Sequence, residues 1–269
     1  MSELSVRDFY DQLAHDYHLI FRDWDASMAY QAEVLDGILR AGLGTGPHRV
    51  LDCSCGIGTQ AIGLALGGHR VVAADLSPVA TARAAAEAAA RGAVLPVTTA
   101  DMRQLPFGPS CFDVVLSADN ALPHLLRAED VQAALAGMLR VLRDDGLLMV
   151  TLRDYDEARR TRPTAPPPQV SQTREGRVVT FQLWHWHQDG EHYDLEHFQL
   201  VPDGRSWDVR VRRTTSWALT RGQLTDFVTA AGFTDVTWHL PDSSGFHQPV
   251  LTARRPAPPR TAGSARPAP

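Results

Sequence analysis

The sequence predicts an α/β fold: a mostly parallel seven-stranded sheet with helices on both faces, an antiparallel β elaboration inserted late in the chain, and a helical lid at the front. Three observations predict it. Between residues 49 and 152, short near-continuous apolar runs alternate with alanine-rich or amphipathic stretches, as strands buried on both faces do between crossover helices. After residue 176 the pattern becomes an alternation of apolar and polar residues between turn sequences. A glycine turn, Cys53-Ser54-Cys55-Gly56-Ile57-Gly58, joins the first apolar run to the first amphipathic stretch.

In chain order, residues 8–19 read as a polar and aromatic helix, broken by Phe21-Arg22-Asp23-Trp24. A second helix carries Met28, Ala32, Leu35, Ile38 and Leu39 at the three- and four-residue spacing of a core-facing stripe, and Gly42 to Pro47 stop it. Residues 1–45 are therefore expected to be a helical lid or packing layer. Strands are expected at Arg49–Cys53, Arg70–Ala74, Val94–Thr98, Phe112–Ser117 and Leu147–Leu152, with helices over 59–66, 78–91 and 129–142, which makes 46–160 the core. Thr161–Gln169 is a proline-rich loop opening an insertion, 161–220, of three antiparallel strands turning at Gln188-Asp189-Gly190 and Pro202-Asp203-Gly204. A helix over 221–231 and strands Thr234–Leu240 and Gln248–Ala253 return the chain to the core, and 255–269, with five prolines, is expected to be a disordered tail.

Composition narrows the function. A net charge of −5 and a pI near 6.1 argue against nucleic acid as a partner. No apolar run approaches the roughly 20 residues that a bilayer demands, and Met1 to Leu4 begin no signal core, so a cytoplasmic location and no membrane partner are expected. Three cysteines make no disulfide framework, and Cys53 and Cys55 lack companion ligands; the histidines at 185, 187, 192 and 197 lack an acidic ligand fixed by sequence, so no metal is expected. All 26 basic residues are arginine, which excludes lysine chemistry. The expected partner is a small-molecule acceptor, and self-association into a homo-oligomer is left open.

The glycine turn lets backbone approach a ligand, and the helix behind it offers free N–H groups and a positive dipole end. Gly56-x-Gly58-x-x-Ala61 suits a nucleotide-like cofactor of either the nicotinamide or the adenosyl kind. Asp75, followed by Leu76 at the end of the second strand, can accept two hydrogen bonds from a ribose diol in both. Three features favour S-adenosylmethionine. Asp52 precedes the turn, where a carboxylate suits a cationic methionyl end better than a pyrophosphate; Asp101 and Met102 can meet an adenine amine and ring; and the fourth strand ends in polar residues, Ser117 to Asn120.

Leu51-Asp52 to Gly58, Asp75, Asp101-Met102, Phe112 to Ser117 and the Asp145-Gly146 turn together resemble the class I S-adenosylmethionine-dependent methyltransferases, which implies a Rossmann-like sheet. A narrower likeness, to the glycine/sarcosine N-methyltransferase group, rests on Ser54 in place of a loop glycine, Asp119-Asn120-Ala121-Leu122-Pro123-His124-Leu125, Arg153-Asp154-Tyr155-Asp156 and Phe9-Tyr10-Asp11. It implies that Arg153 holds an acceptor carboxylate and that Asn120 orients the amine. Tyr10 would cover the methyl group or bond the acceptor, and His124 is the best-placed base should the acceptor be a hydroxyl. Asp52, Ser54, Gly56, Gly58, Asp75, Leu76, Asp101, Met102 and Ser117 form the expected cofactor set. Ala121 and Leu122 depart from the group's polar and aromatic residues, so an acceptor bulkier or more aromatic than glycine is compatible. The expected activity is N-methylation of an amine or amino acid; the rivals are O- or C-methylation in secondary metabolism, an NAD-dependent oxidoreductase, and a non-catalytic cofactor binder. For Arg153 the rival role is surface pairing with Asp154 or Asp156.

Overall fold

The computed structural model describes residues 5–173 and 176–257. Helix α1 (Val6–Leu13) starts at a capping box in which the Ser5 hydroxyl and Asp8 carboxylate serve each other's backbone N–H groups. The expected helix over 8–19 does not run on: the chain re-forms as a 3-10 turn, Tyr17–Ile20. Asp16, between the two, bonds Arg210 and Arg212 at 2.7 and 2.6 Å, and this ion pair across the molecule replaces helix continuation. Helix α2 (Trp24–Leu43), capped by Asp23, buries Trp24, Met28, Ala32, Leu35 and Leu39, close to the expected stripe, while Ile38 is only partly covered.

The core then alternates as the apolar runs dictate: β1 (Arg49–Asp52), α3 (Thr59–Leu66), β2 (Arg70–Asp75), α4 (Pro78–Ala90), β3 (Val97–Thr99), β4 (Phe112–Ser117), α5 (Ala128–Val141) and β5 (Leu142–Thr151). β3 is shorter than expected because Pro96 has no N–H for the ladder and Val94 is exposed. β5 starts earlier, at Leu142, which pairs with Phe112. A short helix, α6 (Tyr155–Thr161), capped by Asp154, follows it.

The insertion holds four strands rather than three: β6 (Gln169–Thr173), β7 (Gly176–Trp186), β8 (His192–Asp203) and β9 (Ser206–Trp217), adjacent in that order and antiparallel. β6 emerges from the end of the proline-rich loop and pairs with β7 from Gln169↔Thr180 onward, a pairing that composition could not show. Helix α7 (Arg221–Ala230) has its own capping box, and β10 (Thr234–His239), the one-turn helix α8 (Pro241–Ser244) and β11 (Val250–Arg254) complete the chain. The main sheet has the order β10-β11-β5-β4-β1-β2-β3, with β11 alone antiparallel to its neighbours. Its two faces carry separate apolar layers, one built on α5 and α7 and the other on α2 and α3.

Arg255, the first residue of the expected tail, is tied down by backbone bonds to Asp145 and Gly146 at 3.0 Å; the rest of that expectation, 258–269, lies outside the described residues. Among the described residues no helix is long and apolar enough to cross a membrane.

Candidate active site

The carboxyl ends of β1, β2 and β4 open onto a cavity of about 430 Å³, roofed by Ser5, Val6, Arg7 and Tyr10 of the α1 segment. Ser54, Gly56, Asp75, Leu76, Asp101 and Met102 are on its wall. Gly56 has φ +52, and a Cβ there would meet nothing, so the turn leaves open space on the cavity side. Gly58, at φ +97, differs, because a Cβ there would sit 2.8 Å from Ile62; its bareness packs the start of α3.

Asp75 accepts from the backbone N–H of Gly56 at 2.8 Å and of Ser77 at 2.9 Å, which leaves further lone pairs for a ligand. Burial raises its pKa, partly opposed by these N–H bonds. Ser77 also donates to Asp11 at 2.5 Å, tying α1 to the strand end that carries Asp75. Asp101 differs: burial works against its charge, but the Arg103 guanidinium, at 2.6 Å, holds it below the usual carboxylate range.

Asp52 and Ser117 are fully buried behind the wall rather than on it. Ser117 Oγ lies 3.1 Å from Ser54 Oγ and so steadies the turn from below. Asp52 Oδ1 accepts from the Ser54 N–H at 3.2 Å, whereas Oδ2 has no partner; burial pushes its pKa up to about 8. An orphaned buried carboxylate oxygen beside the cavity, with Asp75 and Asp119 close by, fits a cofactor carrying positive charge. A nicotinamide cofactor's pyrophosphate would add negative charge to this acidic surround.

Beyond Tyr10 and His124 the cavity meets a smaller chamber of about 80 Å³, which also carries Asn120, Arg153, Tyr193 and His197. Tyr10 Oη lies 2.8 Å from His124 Nε2. Burial pushes His124 down to about 4, with the Thr215 backbone opposing and Arg153 assisting, so its ring is neutral at pH 7; Tyr10 is raised by burial and stays protonated. Asn120, held at φ +67, donates to Tyr155 Oη at 2.8 Å and accepts from the Arg153 N–H at 3.0 Å. Its amide is thus engaged in placing Arg153 and Tyr155, which tells against its expected role of orienting an amine directly.

Arg153 does not pair with Asp154 or Asp156, which face Arg221 at 3.9 and 2.8 Å. Instead its guanidinium lies 5.0 Å from the Trp184 ring centre, and its buried Nη1 has no partner. Asp119, absent from the expected site set, lies on the wall of both spaces at φ +52 and accepts from Gln60 Nε2 at 2.7 Å. His197, Trp184 and Gln182 were missed as well. Their one trace in the sequence is the inward parity of β7 and β8, which marks a sheet face but not what it covers. His185, His187 and His192 pair with Glu196, Asp194 and Asp189, and among the described residues no group of three or more side chains is placed to hold a metal.

Part of the chain is similar to known proteins. A family profile described as a methyltransferase domain matches residues 50–146. Residues 50–146 thus carry a methyltransferase domain, set in a fold shared with S-adenosylmethionine-dependent methyltransferases. It is similar to the glycine/sarcosine N-methyltransferase of Parasynechococcus marenigrum, 34% identical over 50% of this chain and 47% of that protein. The chain thus spans about half the length of the curated relatives it matches. In fold it resembles an S-adenosylmethionine-dependent methyltransferase from Clostridium acetobutylicum (TM-score 0.72, 13% identity, 92% of this chain and 99% of that one). It also resembles the sugar N-methyltransferase KedS8 from Streptoalloteichus (TM-score 0.70, 22% identity, 90% and 93%).

Proposed function

We propose that this methyltransferase domain makes the protein an S-adenosylmethionine-dependent N-methyltransferase of a small molecule bearing an amine and a carboxylate. The observation that carries the acceptor half is Arg153: a buried, permanently charged guanidinium with an unpartnered Nη1, set beyond the cofactor cavity where an acceptor would enter. The likeness to glycine/sarcosine N-methyltransferases over half of the chain supports the same reading.

S-adenosylmethionine, when bound, supplies the methyl group as an electrophile on a positively charged sulfur. What remains for the protein is to hold, orient and dry the two reactants. Asp75 and Leu76 would grip the ribose end, Asp101 and Met102 the adenine, and Ser54 to Gly56, with Asp52 behind, the methionyl end. Tyr10 stands at the junction of the two spaces. Correct placement alone can contribute roughly 7–11 kcal/mol, more than the 10²- to 10⁴-fold typical of a general base.

The pKa of His124 favours an amine over a hydroxyl. A base works best near the operating pH, and a ring held near 4 is a weak one. An amine that binds neutral needs no such base. An amino sugar is the second reading, supported by the fold likeness to a sugar N-methyltransferase.

Two measurements test the proposal. Calorimetry against S-adenosylhomocysteine and NAD should show binding of the first only, and binding of NAD alone overturns the cofactor half. A mass-spectrometric screen of amino acids, amines, amino sugars and phenols should then find a gain of one CH₂ among the carboxylate-bearing amines; a gain confined to phenols overturns the acceptor half.

A further inference from the structure

The 80 Å³ chamber does not end at Arg153. It abuts a vestibule of about 640 Å³, and Tyr17, Ile20, Asp119, Arg153, Gln182 and His197 belong to the walls of both. The vestibule lies within the size range of small-molecule sites, and Tyr17, Phe21 and Trp184 give it aromatic walls. The small chamber can hold a reacting amine and its near neighbours; a larger body attached to them can extend only into the vestibule.

Three buried polar atoms are orphaned at this shared wall, Asp119 Oδ1, Arg153 Nη1 and His197 Nε2. His197 is 4% exposed, and leaving such a group unsatisfied is destabilising. Glu196 is engaged by Arg213 and His185, Asp16 by Arg210 and Arg212, and Asp194 by Thr215, whereas Asp119 accepts from Gln60 through Oδ2 and keeps Oδ1 free of hydrogen bonds, open to an acceptor's amine. Burial, then Arg212 and Arg153, keep the His197 ring neutral, so it can offer an N–H without adding another buried cation. A guanidinium and a neutral imidazole facing one small space form a receptor for one carboxylate.

We propose that the acceptor is an aromatic α-amino acid, its carboxylate held between Arg153 and His197 and its ring lying in the vestibule beside Phe21 and Trp184. The proposal rests on the N-methyltransferase reading and adds His197 and the side-chain site to it. It separates this chain from an enzyme for glycine, which has no side chain to place in the vestibule.

The test is calorimetry on the full chain saturated with S-adenosylhomocysteine, whose own binding is measured first. L-phenylalanine should bind at least about tenfold tighter than glycine, than 2-phenylethylamine, which lacks the carboxylate, and than glucosamine, since a charge-assisted contact or a buried ring is worth about 1.5–3 kcal/mol. His197→Phe should weaken phenylalanine binding by about tenfold while leaving phenylethylamine and S-adenosylhomocysteine unchanged. His197→Gln, which keeps a donor, should recover most of the loss, which a merely structural role would not produce. Glycine, phenylethylamine or glucosamine binding as tightly as phenylalanine overturns the proposal, and so does a saturated chain that binds no amino acid. Failure of S-adenosylhomocysteine itself to bind is separate: it removes the methyltransferase reading, and this proposal with it.

Discussion

The proposed cofactor cavity and acceptor chamber share a wall yet are built in different ways. The cofactor side comes largely from strand ends of a single sheet, with Ser54, Gly56, Asp75 and Asp101 close behind β1, β2 and β3. Each polar group there is placed by its own loop, as Asp75 is by the N–H groups of Gly56 and Ser77. The acceptor side draws Tyr10 from α1, Asn120 and His124 from the loop after β4, Arg153 from the end of β5, and His197 from the inserted sheet. Among its orphaned atoms are Arg153 Nη1, His197 Nε2 and His124 Nδ1, with Asp119 Oδ1 on the wall that the two spaces share, whereas the orphan behind the cofactor wall is Asp52 Oδ2. The buried cation thus lies on the acceptor side and the buried Asp52 on the cofactor side, with Asp119 bordering both. The acidic side suits a cationic donor and the basic side an anionic acceptor.

Perturbing one side and measuring the other breaks or sharpens this division. The largest effect is expected from Arg153→Ala, which takes the charge from the acceptor carboxylate: acceptor KM should rise by about 30-fold or more, following the 2–5 kcal/mol typical of truncating a buried charge pair, with cofactor affinity unchanged. Steady-state kinetics together with calorimetry check this, and an unchanged KM removes Arg153 from the acceptor site. Asp75→Ala should do the converse, weakening S-adenosylhomocysteine by about 10- to 150-fold, a charge-assisted bond of about 1.5–3 kcal/mol, while leaving acceptor KM at saturating cofactor alone.

The pH dependence separates the sites by sign. Asp52, raised to about 8, is largely protonated at pH 7, and a cationic ligand favours its ionised form. Cofactor binding at pH 7 should therefore release a proton, and affinity should rise by up to about tenfold per pH unit until the pH passes the raised pKa. Titration in buffers of differing ionisation enthalpy measures this, and Asp52→Asn should abolish the release.

Stability shows the same opposition. His124 and His197, both lowered to about 4, refuse protons that the unfolded chain takes up below its ordinary pKa of 6.5, so they withdraw stability as pH falls from 6.5 toward 4. Folded Asp52 keeps a proton that the unfolded chain has shed above 3.8, and so opposes them across that window. At one proton per group the three together should give a slope of about 1.4 kcal/mol per pH unit, which Asp52→Asn should steepen toward about 2.7. Denaturant melts from pH 6.5 to 4 test it, and a slope unchanged by the substitution contradicts the placement of Asp52. The smallest effect is expected from Tyr10→Phe, which removes one neutral hydrogen bond of about 0.5–1.5 kcal/mol: kcat should fall by about two- to tenfold with both affinities nearly held.

The division also explains what could be read in advance. The alternation from β1 to β5, the carboxylates at their ends and the glycine turn are local patterns, since strand burial and turn geometry are decided within a few residues. Even there, the turn's two glycines had to be told apart by their surroundings: Gly56 borders the cavity and Gly58 packs on Ile62. Arg153 stood out only through the resemblance of its segment, and nothing near it in sequence showed that Arg221 would take Asp154 and Asp156 and leave Arg153 Nη1 without a partner. The broken first helix has a similar origin, because Asp16 is claimed by arginines nearly two hundred residues away in β9.

By itself, then, the sequence determined the sheet, the turn at Cys53 to Gly58, and the acidic strand ends that suit a cationic cofactor, because hydrophobic period and turn chemistry act at short range. The tertiary structure alone decided which charged groups were left without partners. Pairing is a competition over the whole folded surface, and the unpartnered atoms of Arg153, His197 and Asp119 depend on where their neighbours are engaged.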